Sequence, residues 1–93
     1  MADYRIFETE TFRQNIAGIR RSGFGKIEEK LRDHVYAQLQ KEPHFGSNIK
    51  RLKNWRPPTW RYRVGSWRFF YEIAETEKIV LMIAAHHRGT AYR

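Results

Sequence analysis

The chain has 93 residues, a net charge of +8 and no cysteine, and 41% of its residues are hydrophobic. We expect one folded domain spanning residues 1–93, without disulfides or thiolate metal sites. No basic leader with an apolar run and no apolar stretch of about 18 residues occurs, so a soluble, cytoplasmic protein is expected.

The chain begins with a predicted strand and an amphipathic helix. Residues 4–7 are β-prone and give the first strand. Thr9 or Thr11 can cap the following helix by offering a side-chain oxygen to the free amides of its first turn. That helix carries a narrow apolar stripe at helical spacing, formed by Phe12, Ile16 and Ile19.

A second helix is predicted after Ser22-Gly23, from about Gly25 to Lys41, and Pro43 ends it. Its apolar residues recur every four positions and face one way: Ile27, Leu31, Val35 and Leu39. Two short-linked helices of this kind form a hairpin whose shared apolar side must cover another layer. Both helices are charge-balanced, which argues against a basic amphipathic helix on a membrane.

Positive charge is concentrated in the second half of the chain. Residues 1–49 hold 8 Lys/Arg and 7 Asp/Glu, whereas residues 50–93 hold 10 and 3. Between positions 50 and 68 there is no acidic residue, and the basic ones are Lys50, Arg51, Lys53, Arg56, Arg61, Arg63 and Arg68. One-sided charge of this kind attracts polyanions such as nucleic acid. We expect an irregular, basic connection between Pro43 and Trp60.

The segment 60–73 predicts a β-hairpin around Gly65-Ser66, a pair typical of a type II′ turn. Pairing across this turn sets Val64 opposite Trp67 and Arg63 opposite Arg68. One face then collects aromatic residues, and the other, termed the arginine face, carries Arg61, Arg63 and Arg68. Like charges directly opposed on a sheet are destabilising, so three arginines here are better explained by an anionic ligand.

A last strand is predicted from Lys78 to Ala85, antiparallel to the second hairpin strand. Alternation assigns to the aromatic face Ile79, Leu81, Ile83 and Ala85. It also places His86 and Arg88 on the arginine face and His87 on the core side. The predicted fold is therefore α+β in the order βααβββ, an antiparallel sheet with a helical hairpin on one face.

These elements and motifs resemble the RelE/ParE superfamily of type II toxins along essentially the whole chain. The resemblance is carried by residues 48–53 (Asn-Ile-Lys-Arg-Leu-Lys), by the hairpin core 60–71 and by the ending 87–93 (His-Arg-Gly-Thr-Ala-Tyr-Arg). The pattern R-x-R-x-G-x-x-R-x-x-Y, a strand, then H-R-x-x-x-Y is the most specific part.

Resemblance to the RelE branch implies a ribosome-dependent endoribonuclease that cleaves messenger RNA, neutralised by a small antitoxin. Resemblance to the ParE branch implies instead a toxin that poisons DNA gyrase without nuclease chemistry. Fold alone does not decide between them. A basic, partly apolar surface also suits an acidic, amphipathic antitoxin segment that folds as it binds.

The residues divide into candidate catalytic and RNA-binding groups. Metal-independent RNA cleavage needs charge neutralisation at the phosphate and proton transfer, and arginine's planar fork suits the first task. The candidate catalytic residues are Arg68, Arg88, Tyr92, His86 and His87, of which Arg88 and Tyr92 rest on the resemblance. The candidate RNA contacts are Arg61, Arg63, Lys50, Arg51, Lys53 and Arg56. The four histidines have no zinc-site spacing, so neither a metal nor another cofactor is expected.

Overall fold

The computed structural model describes residues 3–87, which form two helical segments packed on one face of a five-stranded sheet. The strands are β1 (Arg5–Glu8), β2 (Ile49–Arg51), β3 (Trp60–Val64), β4 (Trp67–Ala74) and β5 (Ile79–His87). The helices are α1 (Glu10–Arg21), α2 (Gly25–Lys30) and α3 (Tyr36–Lys41). The predicted α+β class and the helical hairpin are confirmed. Within the described residues, no helix has the length and apolarity needed to cross a membrane.

The sheet is mixed, with the strand order β1-β5-β4-β3-β2. Two details differ from the predicted antiparallel sheet. Strand β1 pairs with β5 in parallel, because the helices carry the chain back across the sheet before β2 begins. The segment Ile49–Arg51, predicted as part of a loop, adds an edge strand antiparallel to β3. Three residues give too little periodicity to predict a strand without knowledge of its partner.

The helical hairpin follows from local chemistry. The Thr9 side chain accepts a hydrogen bond from the Phe12 amide at 3.1 Å and caps α1. Gly23, at φ +92°, closes α1: its amide bonds the Arg20 carbonyl while the Phe24 amide bonds the Ile19 carbonyl. This is a Schellman motif, which needs a left-handed residue at that point.

The second helical segment is continuous, but a π-helical turn at Leu31–Val35 separates α2 from α3. Strict four-residue spacing drifts by about 40° per step around an ideal α-helix. One wider turn reduces that drift, and Leu31, Val35 and Leu39 are all essentially buried. The predicted apolar side is therefore confirmed, while the π turn was not predicted.

The core lies between the helices and the aromatic face of the sheet. It combines Phe12, Ile16 and Ile19 with strand residues such as Tyr62, Phe69 and Tyr71.

One predicted face assignment on β5 is wrong. Phe70 pairs with Ala84, but Tyr71 pairs with Met82, so one extra β5 residue forms a bulge. A bulge reverses the alternation beyond it. Val80 and Met82 are consequently the buried residues of this half of β5, and both are fully buried. Residues Ile79 and Leu81 pair with Ala74 and Glu72 on the other face, whereas Ala85 is buried as predicted.

Ion pairs balance the charge on the helical side of the molecule. Glu28 bonds Arg20 at 2.7 Å and Arg32 at 3.2 Å, and Arg32 also reaches Glu8 at 3.3 Å. The Tyr36 hydroxyl donates a hydrogen bond to Glu8 at 2.5 Å. The pKa of Tyr36 is raised mainly by burial and, to a smaller extent, by this hydrogen bond to the carboxylate. Glu8 and Glu28 are thus engaged by arginines on the helical side of the molecule.

His44 joins two carboxylates that are distant in sequence. Its Nδ1 lies 3.0 Å from Glu42 Oε2, and its Nε2 lies 2.8 Å from Glu75 Oε2. Only the doubly protonated ring can donate to both carboxylates. Burial opposes the charge, but the hydrogen bonds that His44 donates to Glu75 and Glu42 outweigh it and raise the pKa of His44. The ion pairs tie the segment after α3 to the β4–β5 turn.

We expect this ion-pair site to make stability fall at alkaline pH. A histidine with a raised folded pKa contributes stability that is complete below about pH 6.5 and is lost as pH rises through the folded pKa. Urea unfolding at about pH 6 and about pH 9 should show a smaller decrease in unfolding free energy for His44→Gln than for wild type. His34→Gln, at an exposed site, is the control. An unchanged pH dependence in His44→Gln would contradict this role.

Candidate nucleic-acid interface

The hairpin that carries the arginines folds as predicted. Val64 pairs with Trp67, Arg63 with Arg68 and Trp60 with Tyr71. At the turn, Gly65 has φ +58°, and Ser66 has no positive φ, as a type II′ turn requires. The register therefore places Arg61, Arg63 and Arg68 on one face, opposite the helices.

Neighbouring strands extend this face into two rows of side chains. Arg63, Arg68 and His86 pair across β3, β4 and β5. Lys50, Arg61 and Phe70 pair across β2, β3 and β4 in the same way. Directly opposed residues have Cβ atoms about 5 Å apart, and residues two apart on a strand are separated by about 7 Å. Four cations and an imidazole thus share one face of the sheet.

The three arginines of this face differ in how far they are buried. Arg61 and Arg68 are half-buried, whereas Arg63 is exposed and its Nε donates to the Gly65 carbonyl at 3.1 Å. Arg61 Nε is buried and has no hydrogen-bond partner among residues 3–87. A buried donor without a protein partner costs free energy unless water or a ligand bonds it.

A concavity lies beside the arginine rows. Its volume is about 460 Å³, and its lining includes Lys50, Arg61 and Arg63 together with Ser47 and Asn48. The charged side chains of this lining are all positive, and the serine and asparagine add neutral hydrogen-bonding groups. A phosphate is the kind of group that such a lining favours.

The other predicted RNA contacts occupy different positions. Arg51 is on the opposite face of β2 from Lys50, and its guanidinium lies 5.5 Å from the ring centre of Trp60. Lys53 and Arg56 are exposed in the loop between β2 and β3. The structure therefore brings Lys50 to the arginine rows and leaves Arg51 pointing away from them.

The two histidines separate as alternation predicts. His86 pairs with Arg68 on the arginine face. His87 pairs with Trp67 on the other face, and the ring centres of His87 and Trp67 are 4.9 Å apart. This position makes His86 the histidine that accompanies the arginines. The predicted catalytic residues Arg88 and Tyr92 lie outside the described residues 3–87.

Two aromatic residues of this face were not assigned to the site from sequence. Phe70 lies beside Arg61 and is only 4% exposed, although it faces away from the helices. Trp55, from the β2–β3 loop, covers it: the rings are stacked 10° from parallel with centres 6.1 Å apart. Alternation already placed Phe70 among the arginines, and an apolar residue there is the signal that something covers it.

The described residues hold no cluster of three or more histidine, aspartate or glutamate side chains placed to bind a metal ion. The arginine face also carries a carboxylate, that of Glu72, which is on β4 two residues beyond Phe70. The arginine face therefore offers guanidinium, ammonium and imidazole groups together with the carboxylate of Glu72.

The solved structures to which this chain is similar include toxin-antitoxin complexes and a RelE toxin. The toxin-antitoxin complex RelBE2 from Mycobacterium tuberculosis has a chain with TM-score 0.72 and 23% identity, covering 95% of this chain and 94% of that one. The archaeal RelE-RelB complex from Pyrococcus horikoshii has a chain with TM-score 0.67 and 20% identity, and the match covers 96% of this chain and 99% of that one. A mutant of the Escherichia coli toxin RelE in the free state has TM-score 0.66 and 15% identity, and the match covers 98% of this chain and 88% of that one. Comparisons with protein-family models and with curated proteins give no match.

Proposed function

The chain has the fold of the RelE toxins, and we propose that it is a toxin of a type II toxin-antitoxin system, a ribosome-dependent messenger RNA endoribonuclease. The observation that carries the proposal is the register that sets Arg63, Arg68 and His86 side by side, opposite the helices. The structural neighbours are RelE proteins, which favours nuclease activity over the gyrase poisoning that the ParE branch implies.

The proposed reaction is an attack of the RNA 2′-OH on the adjacent phosphorus. The O2′–P bond forms and the P–O5′ bond breaks. In the transition state, negative charge builds on the two non-bridging oxygens of the phosphate. A guanidinium at Arg68 binds that charge more strongly in the transition state than in the ground state, which is what accelerates the step. Arg61 and Arg63 hold the backbone phosphates on either side and align the reacting groups.

Proton transfer is assigned to His86 among the described residues. An imidazole can take the proton of the 2′-OH or return one to the departing 5′-oxygen near neutral pH. Arginine is unsuited to this because it stays protonated. His87, on the core side, serves better as a support for Trp67. Arg88 and Tyr92 stay candidates, by resemblance, for the remaining contacts.

The ribosome enters the proposal through the resemblance to the RelE branch, and the arginine face is the surface of the sheet opposite the helices. Such a surface binds the RNA backbone but offers few groups that fix one phosphodiester in line for attack. A partner that holds the messenger RNA in a defined conformation supplies that order. We therefore expect the purified protein alone to cleave RNA poorly.

A cognate antitoxin is the second proposed partner. Two of the neighbours are complexes of a toxin with its antitoxin. On this chain, the bulge in β5 leaves Leu81 on the arginine face, where it pairs with Phe7, which is 49% exposed. An apolar strip beside clustered cations complements a segment that is both acidic and amphipathic.

The nature of the cut ends tests the proposed reaction. Attack by the 2′-OH leaves a 2′,3′-cyclic phosphate on one fragment and a 5′-hydroxyl on the other. Expression of the protein in cells, followed by mapping of 5′-hydroxyl ends, should show cuts within translated regions that keep phase with codons. Cuts bearing 5′-phosphates would contradict the reaction, and DNA breaks with an SOS response would indicate gyrase poisoning instead.

A further inference from the structure

We propose that Trp55 is a nucleobase-stacking residue, so that the β2–β3 loop binds a base of the RNA whose phosphates lie on the arginines. The inference rests on the proposed function for the identity of the ligand. It adds a subsite that binds a base of the RNA, whereas the arginines bind its phosphates.

The loop that carries Trp55 is closed at its base. The Leu52 amide donates to the Thr59 carbonyl at 2.9 Å, and the Thr59 hydroxyl donates to the Pro57 carbonyl at 3.0 Å. Thr59 is 1% exposed, and Asn54 adopts a left-handed conformation with φ +63° that turns the chain just before Trp55. The loop is thus a folded element that holds Trp55 over the sheet.

The stacking leaves one side of the indole available. Trp55 contacts Phe70 through a nearly parallel stack, yet 47% of Trp55 is exposed while Phe70 is 4% exposed. The rings are parallel but offset, because their centres are 6.1 Å apart, so Phe70 covers only part of one indole face and about half of the residue stays exposed. Covering Phe70 alone would require only an aliphatic side chain, whereas a half-exposed indole offers a flat surface to a base.

The position of Trp55 relative to the charges completes the argument. Phe70 pairs directly with Arg61, so the indole stands above the row that runs from Lys50 to Phe70. Single-stranded nucleic acids bind where a basic track follows the backbone and aromatic rings stack on the bases. Phe24, which is 50% exposed at the start of α2 on the helical side, provides a matched comparison.

The test compares a ligand with bases and a ligand without them. Short oligouridine and inorganic polyphosphate are titrated into the wild type and into Trp55→Leu, Trp55→Phe and Phe24→Ala. Leucine keeps an apolar cover over Phe70 but removes the aromatic surface. We expect Trp55→Leu to lose about 5- to 150-fold in affinity for oligouridine, with Trp55→Phe in between. Polyphosphate affinity should be equal in all four proteins.

Tryptophan fluorescence gives an independent reading. A base stacked on the indole should quench the wild-type emission on addition of oligouridine, and Trp55→Leu should lose this quenching. Equal oligouridine affinity in Trp55→Leu and wild type would overturn the inference, and so would a parallel loss of oligouridine and polyphosphate binding with unchanged thermal stability. Because binding is measured without ribosomes, an absence of codon-phased cuts in cells would refute the nuclease and leave this result standing.

Discussion

Replacing Arg68 with alanine should reduce cleavage of ribosome-bound messenger RNA by about 100- to 1,000-fold, the usual effect of removing one preorganised donor from a developing oxyanion. Arg68 is half-buried near the start of β4, where it pairs with Arg63 on one side and His86 on the other, so the sheet fixes its position. Arg68→Lys keeps the charge but loses the planar fork and should fall between alanine and wild type. The measurement is single-turnover cleavage on programmed ribosomes.

A matched control separates this effect from a loss of positive charge. Arg21, exposed in the last turn of α1, contributes the same charge on the helical side of the molecule. Arg21→Ala should cleave at the wild-type rate. If Arg68→Ala and Arg21→Ala cleave alike, Arg68 takes no part in the reaction.

The second large effect concerns stability. Phe12 is fully buried, and its ring centre lies 6.3 Å from that of Phe69. Phe12→Ala removes this contact between α1 and β4 and should cost about 3–5 kcal/mol of unfolding free energy. Since a domain of this size has about 5–15 kcal/mol in total, the variant should lose a large fraction of its stability and unfold at a clearly lower urea concentration. Urea denaturation followed by circular dichroism measures the loss.

Phe45 provides the comparison, because it is the same residue type with 76% exposure. Phe45→Ala should change the unfolding free energy by less than about 0.5 kcal/mol. A similar loss in both variants would show that the layer between the helices and the sheet is not the core.

The parts of the fold that could be predicted from sequence depend on neighbours in the chain. The hairpin register followed from Gly65-Ser66, because a two-residue turn fixes every pair beyond it. The placement of Arg61, Arg63 and Arg68 on one face, and of His86 with them, followed by counting from that turn. The helical stripes followed in the same way from spacing, since the buried positions of α1 are those three or four residues apart.

The parts that could not be predicted depend on distant partners. The bulge opposite Phe70 and Tyr71 moved Ile79 and Leu81 off the core face, and nothing in a regular apolar alternation indicates an extra residue. The pairing of Ile49–Arg51 with β3 turned Arg51 away from Lys50. The stacking of Trp55 on Phe70 required the path of a loop, which sequence periodicity does not describe.

The salt dependence of RNA binding tests most directly whether the arginine face binds the RNA backbone. Each phosphate contact with a single strand contributes about 0.7 to the slope of log K against log salt concentration. Combined replacement of Arg61, Arg63 and Arg68 by glutamine should lower that slope by about 2, while glutamine at the off-face arginines Arg13, Arg20 and Arg21 should leave it unchanged. Equal decreases in the two triple variants would contradict the account, because binding would then depend on net charge and not on this face.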